Sequence, residues 1–194
     1  MWHAVLSDSR LFSTLTKFDE DLACGWRAAR CPWCGGRLDS ARYPRKPRGG
    51  PPDLDADYAW RLSFCCAREG CRRRVTPPSV RYLGRRVYLG VVVVLVSAME
   101  HGLSLRRVAK LNATLGIGLR TLRRWRQWWR AVFVKSALWR AARGRFVPPV
   151  EEAALPYSML ERFSGAAAEQ VLAMLRFLAP LTTRSAIGRV SAGR

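Results

Sequence analysis

The cysteines are the residues of this chain best suited to chemistry, and most of the six fall into two groups. Cys31 and Cys34 are separated by two residues, and a second group, about thirty residues later, ends at Cys71. A tight turn can present two thiolates to one tetrahedral zinc ion, and a second turn can supply the other two. This spacing predicts a structural Zn²⁺ site at the centre of a small β zinc ribbon.

One ligand has two candidates, because Cys65 and Cys66 are adjacent in the sequence. Alternate side chains of a strand share a face, so Cys66 would lie with Leu62 and Phe64 on an apolar face that ends at the metal. This alternation favours Cys66 and leaves Cys65 as the alternative. The predicted zinc ligands are therefore Cys31, Cys34, Cys66 and Cys71.

Disulfides and a redox-active pair are the other uses that cysteines have. The first eleven residues contain neither a basic segment nor the apolar run of a secretory signal, so an oxidising compartment is not indicated. The Cys31–Cys34 pair also lacks the βαβ setting of redox motifs. Cys24 lies in a helical pattern and is predicted to be a small core residue.

The charge of the chain is its most unusual property. It contains 34 lysines and arginines against 14 aspartates and glutamates, a net charge of +20. Such an excess favours a polyanionic partner, because each neutralised phosphate releases counterions. The expected partner is double-stranded DNA, and no small-molecule substrate is expected.

A membrane span has one candidate, the apolar run at 87–99. Its 13 residues are fewer than the roughly 20 that a bilayer requires. The run is therefore predicted to be a buried element, without membrane association, in a cytoplasmic and nucleoid-associated protein.

The elements that position the cysteines are predicted from periodicity. Apolar residues recur at helical spacing over 9–29, which predicts an N-terminal helix that packs on the ribbon. Strands are expected at 37–43, 60–66 and 72–76, so the fold class is mostly α with a small β zinc ribbon. The expected units are an N-terminal helix (1–30), a zinc ribbon (31–80), a DNA-binding unit of three helices (85–146), a C-terminal helical segment (150–181) and a disordered tail (182–194).

Three helices are predicted in the DNA-binding unit, at 85–101, 104–112 and 119–133. Leu105, Val108 and Leu111 are expected to point inward from the second. Gly116 lies in the turn that follows it, and this order of helix, short turn and helix is that of a helix-turn-helix domain.

The third predicted helix has two chemically different faces. Its apolar face contains Leu122, Trp125, Trp129, Val132 and Phe133. In the major groove, arginine pairs with guanine and glutamine with adenine, so the opposite face is predicted to contact bases. The predicted base contacts are Arg120, Arg123, Arg124 and Gln127, and the predicted DNA-backbone contacts are Arg72, Arg73, Arg74, Arg126 and Arg130.

Two further helices are predicted at 155–163 and 166–178. Their leucines, valine and phenylalanine form apolar faces. These faces are suited either to packing within the chain or to self-association.

The segment 116–125, with the sequence GIGLRTLRRW, resembles the G-V-S-x-x-T-L-x-R-W segment of helix-turn-helix domains in bacterial transposases and related regulators. Gly118 stands where that family usually has a capping serine. The cysteine-containing segment followed by arginines is similar to the zinc ribbon that precedes such domains in some insertion-sequence proteins. The resemblance implies an accessory or remnant protein of a bacterial transposable element, with a transposase as a possible partner.

Catalysis is not expected. A three-carboxylate transposase needs acidic residues on an alternating α/β domain that holds two Mg²⁺ ions. The chain has only Glu151, Glu152, Glu161 and Glu169 after the predicted recognition helix, in about sixty residues of helical pattern. The alternatives to a transposon-associated protein are a helix-turn-helix transcriptional regulator and a basic zinc-ribbon protein that binds RNA or the ribosome.

Overall fold

The structure, a computed structural model, describes residues 2–83, 88–99 and 104–183. About 54% of the chain is helical, and a small antiparallel sheet lies between the second and third helices, so the fold is mostly α with a small β part. The helices are α1 (Trp2–Leu6), α2 (Ser9–Ala28), α3 (Gly90–Ser97), α4 (Leu105–Leu115), α5 (Leu119–Gln127), α6 (Ala137–Ala142), α7 (Tyr157–Leu160) and α8 (Ala167–Leu178). The strands are β1 (Leu38–Ser40), β2 (Tyr43–Pro44), β3 (Trp60–Arg61), β4 (Phe64–Cys66) and β5 (Arg74–Val75).

The long N-terminal helix α2 connects two apolar cores. It begins after Asp8, whose carboxylate accepts a hydrogen bond from the Arg10 N–H (3.0 Å) and so caps the helix. Leu15 enters the main core, whereas Ala23 enters a smaller core around the cysteines. The helix therefore packs on the ribbon, as predicted. Cys24 is exposed, so its prediction as a core residue was wrong.

The ribbon strands form one antiparallel ladder with a break in the middle. Leu38 pairs with Cys66 at one end and Pro44 pairs with Trp60 at the other, in a single constant register. The predicted strands at 37–43 and 60–66 are thus each split into two short strands. β5 pairs with the other edge of β4, which gives the strand order β1-β4-β5 in the sheet beside the cysteines.

Helix α3 lies at the centre of the main core. Its eight residues are all buried, and it packs against α5 and α8. A Cβ at Gly90 would lie 3.0 Å from a methyl group of Leu175 and 3.2 Å from the Val80 carbonyl, so only glycine allows this close approach at the start of the helix. The predicted helix at 85–101 is observed only as Gly90–Ser97, and residues 85–87 and 100–101 lie outside the described residues. In the part of the chain that the structure describes, no helix combines the length and apolar character needed to cross a membrane.

Helices α4 and α5 are joined by a short turn. α4 ends three residues later than predicted, at Leu115, and is followed by Gly116, which has a φ of +65°. The Tyr88 hydroxyl donates to the Gly116 carbonyl (2.6 Å), and Ile117 is fully buried beneath the turn. These contacts fix the angle at which the chain enters α5.

Two residues predicted to point inward are exposed. Leu105 is 84% exposed because α4 contacts the core through Val108 and Leu111, and the first turn of the helix lies beyond that contact. Val132 is 55% exposed. It lies in a π-helical turn, Trp128–Phe133, which has more residues per turn than an α-helix. In this turn the side chain of Phe133 is buried and that of Val132 is not.

The C-terminal segment packs on the rest of the molecule. Helix α8 agrees with the prediction to within one residue. Its apolar face packs in the main core, and residues of both predicted units, 85–146 and 150–181, contribute to that core. α7 is shorter than the predicted helix at 155–163. Thr182 and Thr183, predicted to begin a disordered tail, instead hydrogen-bond to Ser79 (2.9 Å) and Thr76 (2.6 Å) respectively. Residues 184–194 lie outside the described residues.

Candidate functional site

Four cysteines lie close enough to hold one metal ion. The sulfur atoms of Cys31, Cys34, Cys66 and Cys71 all lie within 4.8 Å of one another. The Sγ–Sγ distance is 3.8 Å between Cys31 and Cys71, and 3.4 Å between Cys34 and Cys66. Four sulfurs at the usual zinc–sulfur distance of about 2.3 Å lie roughly 3.8 Å apart in a tetrahedron. The group therefore has the size of a four-thiolate metal site.

Two tight turns bring these sulfurs together. In the first turn, the Gly35 N–H donates to the Cys31 carbonyl (2.9 Å) and the Cys31 N–H donates to the Gly36 carbonyl (2.9 Å). In the second, the Cys71 N–H donates to the Arg68 carbonyl (3.1 Å). The left-handed backbone of Gly35, at a φ of +69°, explains why glycine follows the first pair of cysteines.

The register of the ladder decides between the two adjacent cysteines. Cys66 faces Leu38, and both side chains are fully buried on the inner face of the sheet with Phe64. Cys65 lies on the other face, where its thiol donates to the Arg72 carbonyl (3.4 Å). The structure thus brings together the four predicted ligands and leaves Cys65 outside the group.

The thiols of the cluster differ in acidity. A hydrogen bond with the Gly36 backbone, assisted by the Cys66 thiol, lowers the pKa of Cys34 to about 7. Burial raises the pKa of Cys66 to about 12. The first thiol releases its proton readily near neutral pH, whereas a metal ion has to displace the proton of the second.

Replacing Gly36 with alanine is expected to weaken metal binding by about 10-fold, because the backbone of Gly36 packs directly against the sulfur atoms of two cysteines of the cluster. A Cβ there would lie 3.1 Å from the Cys66 sulfur and 3.3 Å from the Cys34 sulfur, so the sulfurs would have to move. Competition with a chromophoric chelator measures the affinity. Gly25→Ala is the matched control, since nothing lies within 4 Å of its Cβ position. Equal affinities of the two variants would contradict this role of Gly36.

The arginines after the second turn are exposed beside the cysteine cluster. Arg72, Arg73 and Arg74, predicted as DNA-backbone contacts, all face solvent. The Arg73 guanidinium lies 5.4 Å from the ring centre of Trp33, which is 47% exposed. The end of the ribbon that carries the four cysteines therefore presents guanidinium groups together with an aromatic surface.

Helix α5 presents most of its predicted contact residues to solvent. Leu122 and Trp125 are buried, and Trp125 packs edge-to-face on Tyr88 with ring centres 5.2 Å apart. The outward-facing residues are Arg120, Arg123, Arg124 and Gln127. Arg130, in the turn that follows α5, is also exposed. Arg126, predicted as a DNA-backbone contact, is half-buried and donates to the Met99 carbonyl (3.3 Å).

A buried ion pair that was not predicted joins α2 to the segment after the ribbon. Asp19 is fully buried, and one of its oxygens lies 2.8 Å from the Arg81 guanidinium. The carboxylate also accepts hydrogen bonds from the Ser79 hydroxyl (2.6 Å) and the Val80 N–H (2.7 Å). A signal was present, since Asp19 lies four residues after Leu15 on the apolar face of α2.

Arg81 continues this network into the ribbon. It donates to the carbonyls of Asp57 (3.2 Å) and Trp60 (3.1 Å), and its guanidinium lies 5.0 Å from the ring centre of Tyr58. Arg61 is buried nearby and donates to the Pro77 carbonyl, and burial lowers its pKa. These contacts hold α2, the ladder and the segment before α3 together.

Comparison with known proteins gives no relative from which to transfer a function. No family model matches the chain, and no curated protein and no solved structure matches it.

Proposed function

We propose that this protein is a zinc-dependent protein that binds double-stranded DNA and has no catalytic activity of its own. The observation that carries this proposal is the arrangement of α5, whose apolar side is buried while Arg120, Arg123, Arg124 and Gln127 face solvent. On a chain with a net charge of +20, such a face is suited to the major groove.

The turn before α5 supports a helix-turn-helix arrangement. α4 is followed by the Gly116 turn and then by a second helix whose N-terminal residues include three of the exposed arginines. Tyr88 contacts both the turn and Trp125, so it fixes α5 relative to the core. A reading helix has to be held rigidly in this way, because base contacts depend on accurate placement of its side chains.

The chemistry of the cysteine cluster supports zinc as its metal. Four thiolates in a tetrahedral arrangement are typical of structural zinc sites, in which the protein supplies every ligand and leaves no position for substrate. Zinc would join the two turns and so hold the end of the ladder. Its proposed role is structural.

Two of the four glutamates after α5, Glu152 and Glu169, have structural contacts, which supports the proposal that the protein is not an enzyme. Glu152 accepts a hydrogen bond from the Trp139 indole N–H (2.7 Å) and lies 3.9 Å from Arg143. The Glu169 carboxylate accepts from the Ala166 N–H (2.8 Å) at the start of α8. These contacts are those of a helix cap and a packing pair.

The biological setting that we propose is a bacterial transposable element, for which the protein would be an accessory or a remnant. This part of the proposal rests on the resemblance of segment 116–125 to transposase helix-turn-helix domains. Selection of genomic fragments by the zinc-loaded protein tests it. A shared motif at the ends of repeated elements would support this setting, whereas a motif at scattered promoters would replace it with transcriptional regulation.

Changing Arg123 and Arg124 together to alanine is expected to abolish sequence preference on duplex DNA. Each bidentate arginine–guanine contact contributes about 1–3 kcal/mol of discrimination, so losing two should reduce the ratio of specific to non-specific affinity by about 30-fold or more. Titration of a selected site and a scrambled duplex, at one salt concentration, measures this ratio.

The matched control is Arg140→Ala combined with Arg145→Ala. Both arginines are exposed, and the control removes the same charge from a different surface. It should weaken binding to both duplexes alike and keep their ratio. If both double variants behave in the same way, α5 contributes only charge, and its side chains do not read bases.

A further inference from the structure

Trp33 is unusual among the large aromatic side chains of this protein. It lies between Cys31 and Cys34 in the first metal-binding turn and is 47% exposed, whereas Trp125 and Trp129 are buried. A single exposed apolar side chain is ordinary on a protein surface, so the significance of Trp33 depends on the charged groups around it.

The end of the ribbon that carries the four cysteines has a strong positive charge around this indole. Residues 27–39 and 65–74 contain seven arginines and only two carboxylates. One of these carboxylates, Asp39, already lies 3.2 Å from Arg37. Even with the two negative charges of a zinc–tetrathiolate centre, an excess of three positive charges remains. The surface therefore favours an anionic partner.

Hydrogen bonds order the backbone that carries Trp33 and Arg73. The backbone turn around the cysteines fixes Trp33, and the Arg73 carbonyl accepts a hydrogen bond from the Cys66 N–H (3.0 Å). Arg68 crosses between the two turns and donates to the Cys34 carbonyl (3.4 Å). Trp33 and Arg73 thus project from an ordered backbone, and the Arg73 guanidinium lies 5.4 Å from the centre of the indole ring.

Trp60, at the other end of the ladder, makes a similar contact in a different electrostatic setting. It is 36% exposed, and the Arg42 guanidinium lies 5.1 Å from its ring centre. However, Arg42 also lies 3.9 Å from Asp57, which follows Asp53 and Asp55 in an acidic loop. These carboxylates reduce the attraction of the surroundings of Trp60 for a polyanion, so we expect Trp60 to contribute less than Trp33, and it serves as the comparison tryptophan.

We propose that Trp33 and Arg73 form a stacking platform for an unpaired base of single-stranded nucleic acid, with the ribbon arginines contacting its phosphates. An aromatic surface within a basic patch is the general means of binding single strands, because every base has a face that can stack. Bases inside a duplex are covered by their neighbours, so a single projecting indole is suited to an unpaired base. The site is separate from α5 and goes beyond duplex binding by that helix.

Fluorescence anisotropy with a labelled oligothymidylate of about twelve nucleotides, within the usual site size, tests this proposal on the full zinc-loaded chain. Trp33→Ala is expected to weaken binding by roughly 5- to 150-fold, the effect of losing one stacked base. Trp33→Phe should keep most of the affinity, and Trp60→Ala should bind like the unaltered protein. Equal losses in Trp33→Ala and Trp60→Ala, or no loss in Trp33→Ala, would overturn the proposal.

A second measurement needs no variant. An oligonucleotide of the same length with abasic sugars keeps the phosphates and removes the stacking partner, so the unaltered protein should bind it more weakly by a similar factor. Equal affinity for the two strands would also overturn the proposal. The variant with Arg123→Ala and Arg124→Ala should keep the preference for strands that contain bases, so failure of this platform can be distinguished from failure of duplex recognition by α5.

Discussion

Replacing Cys66 with serine is expected to abolish high-affinity metal binding and to unfold the ribbon, whereas the same change at Cys65 should leave both intact. Metal binding to a structural zinc site contributes about 10–16 kcal/mol of apparent free energy at neutral pH, and in small metal-binding folds this is also folding free energy. Loss of a residue that only hydrogen-bonds a metal ligand reduces metal affinity by up to roughly 100-fold. Loss of a ligand itself should therefore reduce metal affinity by more than this.

The effect should be large because the apolar core of the ribbon is small. Its six buried residues are Ala23, Cys31, Leu38, Phe64, Cys66 and Val75, and two of these belong to the cysteine cluster. So few side chains bury too little surface to hold two turns and a short sheet in place. The main core should remain folded, since its buried residues come from outside the strands β1, β4 and β5 beside the cysteines.

Zinc stoichiometry by elemental analysis and thermal unfolding with and without chelator measure these effects. Cys65→Ser is the matched control, because its hydroxyl can replace the thiol that donates to the Arg72 carbonyl. Retention of one zinc per chain by Cys66→Ser and its loss from Cys65→Ser would mean that the strand shifts its register when it binds metal.

The cysteine cluster could be predicted because its determinants are local. The spacing of Cys31 and Cys34 specifies a tight turn, and the alternation of side chains along a strand distinguishes Cys66 from Cys65. Both features depend on residues that are close in sequence. The break in the ladder, between β1 and β2 on one side and between β3 and β4 on the other, was not predicted.

Predictions for the helical part failed where the helix departs from regular geometry. A helical wheel assumes 3.6 residues per turn, and it placed both Val132 and Phe133 inward, whereas in the π-helical turn only Phe133 is buried. The valine run of α3 was ambiguous between helix and strand, and complete burial is compatible with both. Only the packing of α3 against α5 and α8 identifies it as the central helix.

The pairing of Asp19 with Arg81 was not predictable, because the two residues are 62 positions apart. A carboxylate on an apolar helix face indicates that a partner exists, but it does not identify that partner. Several arginines in the chain could have filled the role. The buried network is therefore the part of the structure that depends most on the tertiary fold.

Replacing Asp19 with alanine is expected to destabilise the protein by about 3–5 kcal/mol, the usual cost of removing one partner from a buried ion pair. The change would leave the Arg81 guanidinium, only 2% exposed, without its counter-charge. Arg61 is buried close by, so the region would contain two guanidinium groups and would have lost its buried carboxylate. Against a typical total stability of about 5–15 kcal/mol, this loss is large. Urea unfolding, followed by tryptophan fluorescence, measures it.

Glu20→Ala is the matched control, since this neighbouring carboxylate is exposed, and its removal should change stability by less than about 0.5 kcal/mol.

A double variant, Asp19→Leu with Arg81→Met, separates two explanations. If the cost arises from an uncompensated buried charge, removing both charges should recover much of the lost stability. If the network acts mainly by fixing geometry, the double variant should be no more stable than Asp19→Ala, because Arg81 would no longer donate to the Asp57 and Trp60 carbonyls. Recovery would assign the stability to charge compensation, and its absence would assign it to the hydrogen bonds that join α2 to the ribbon.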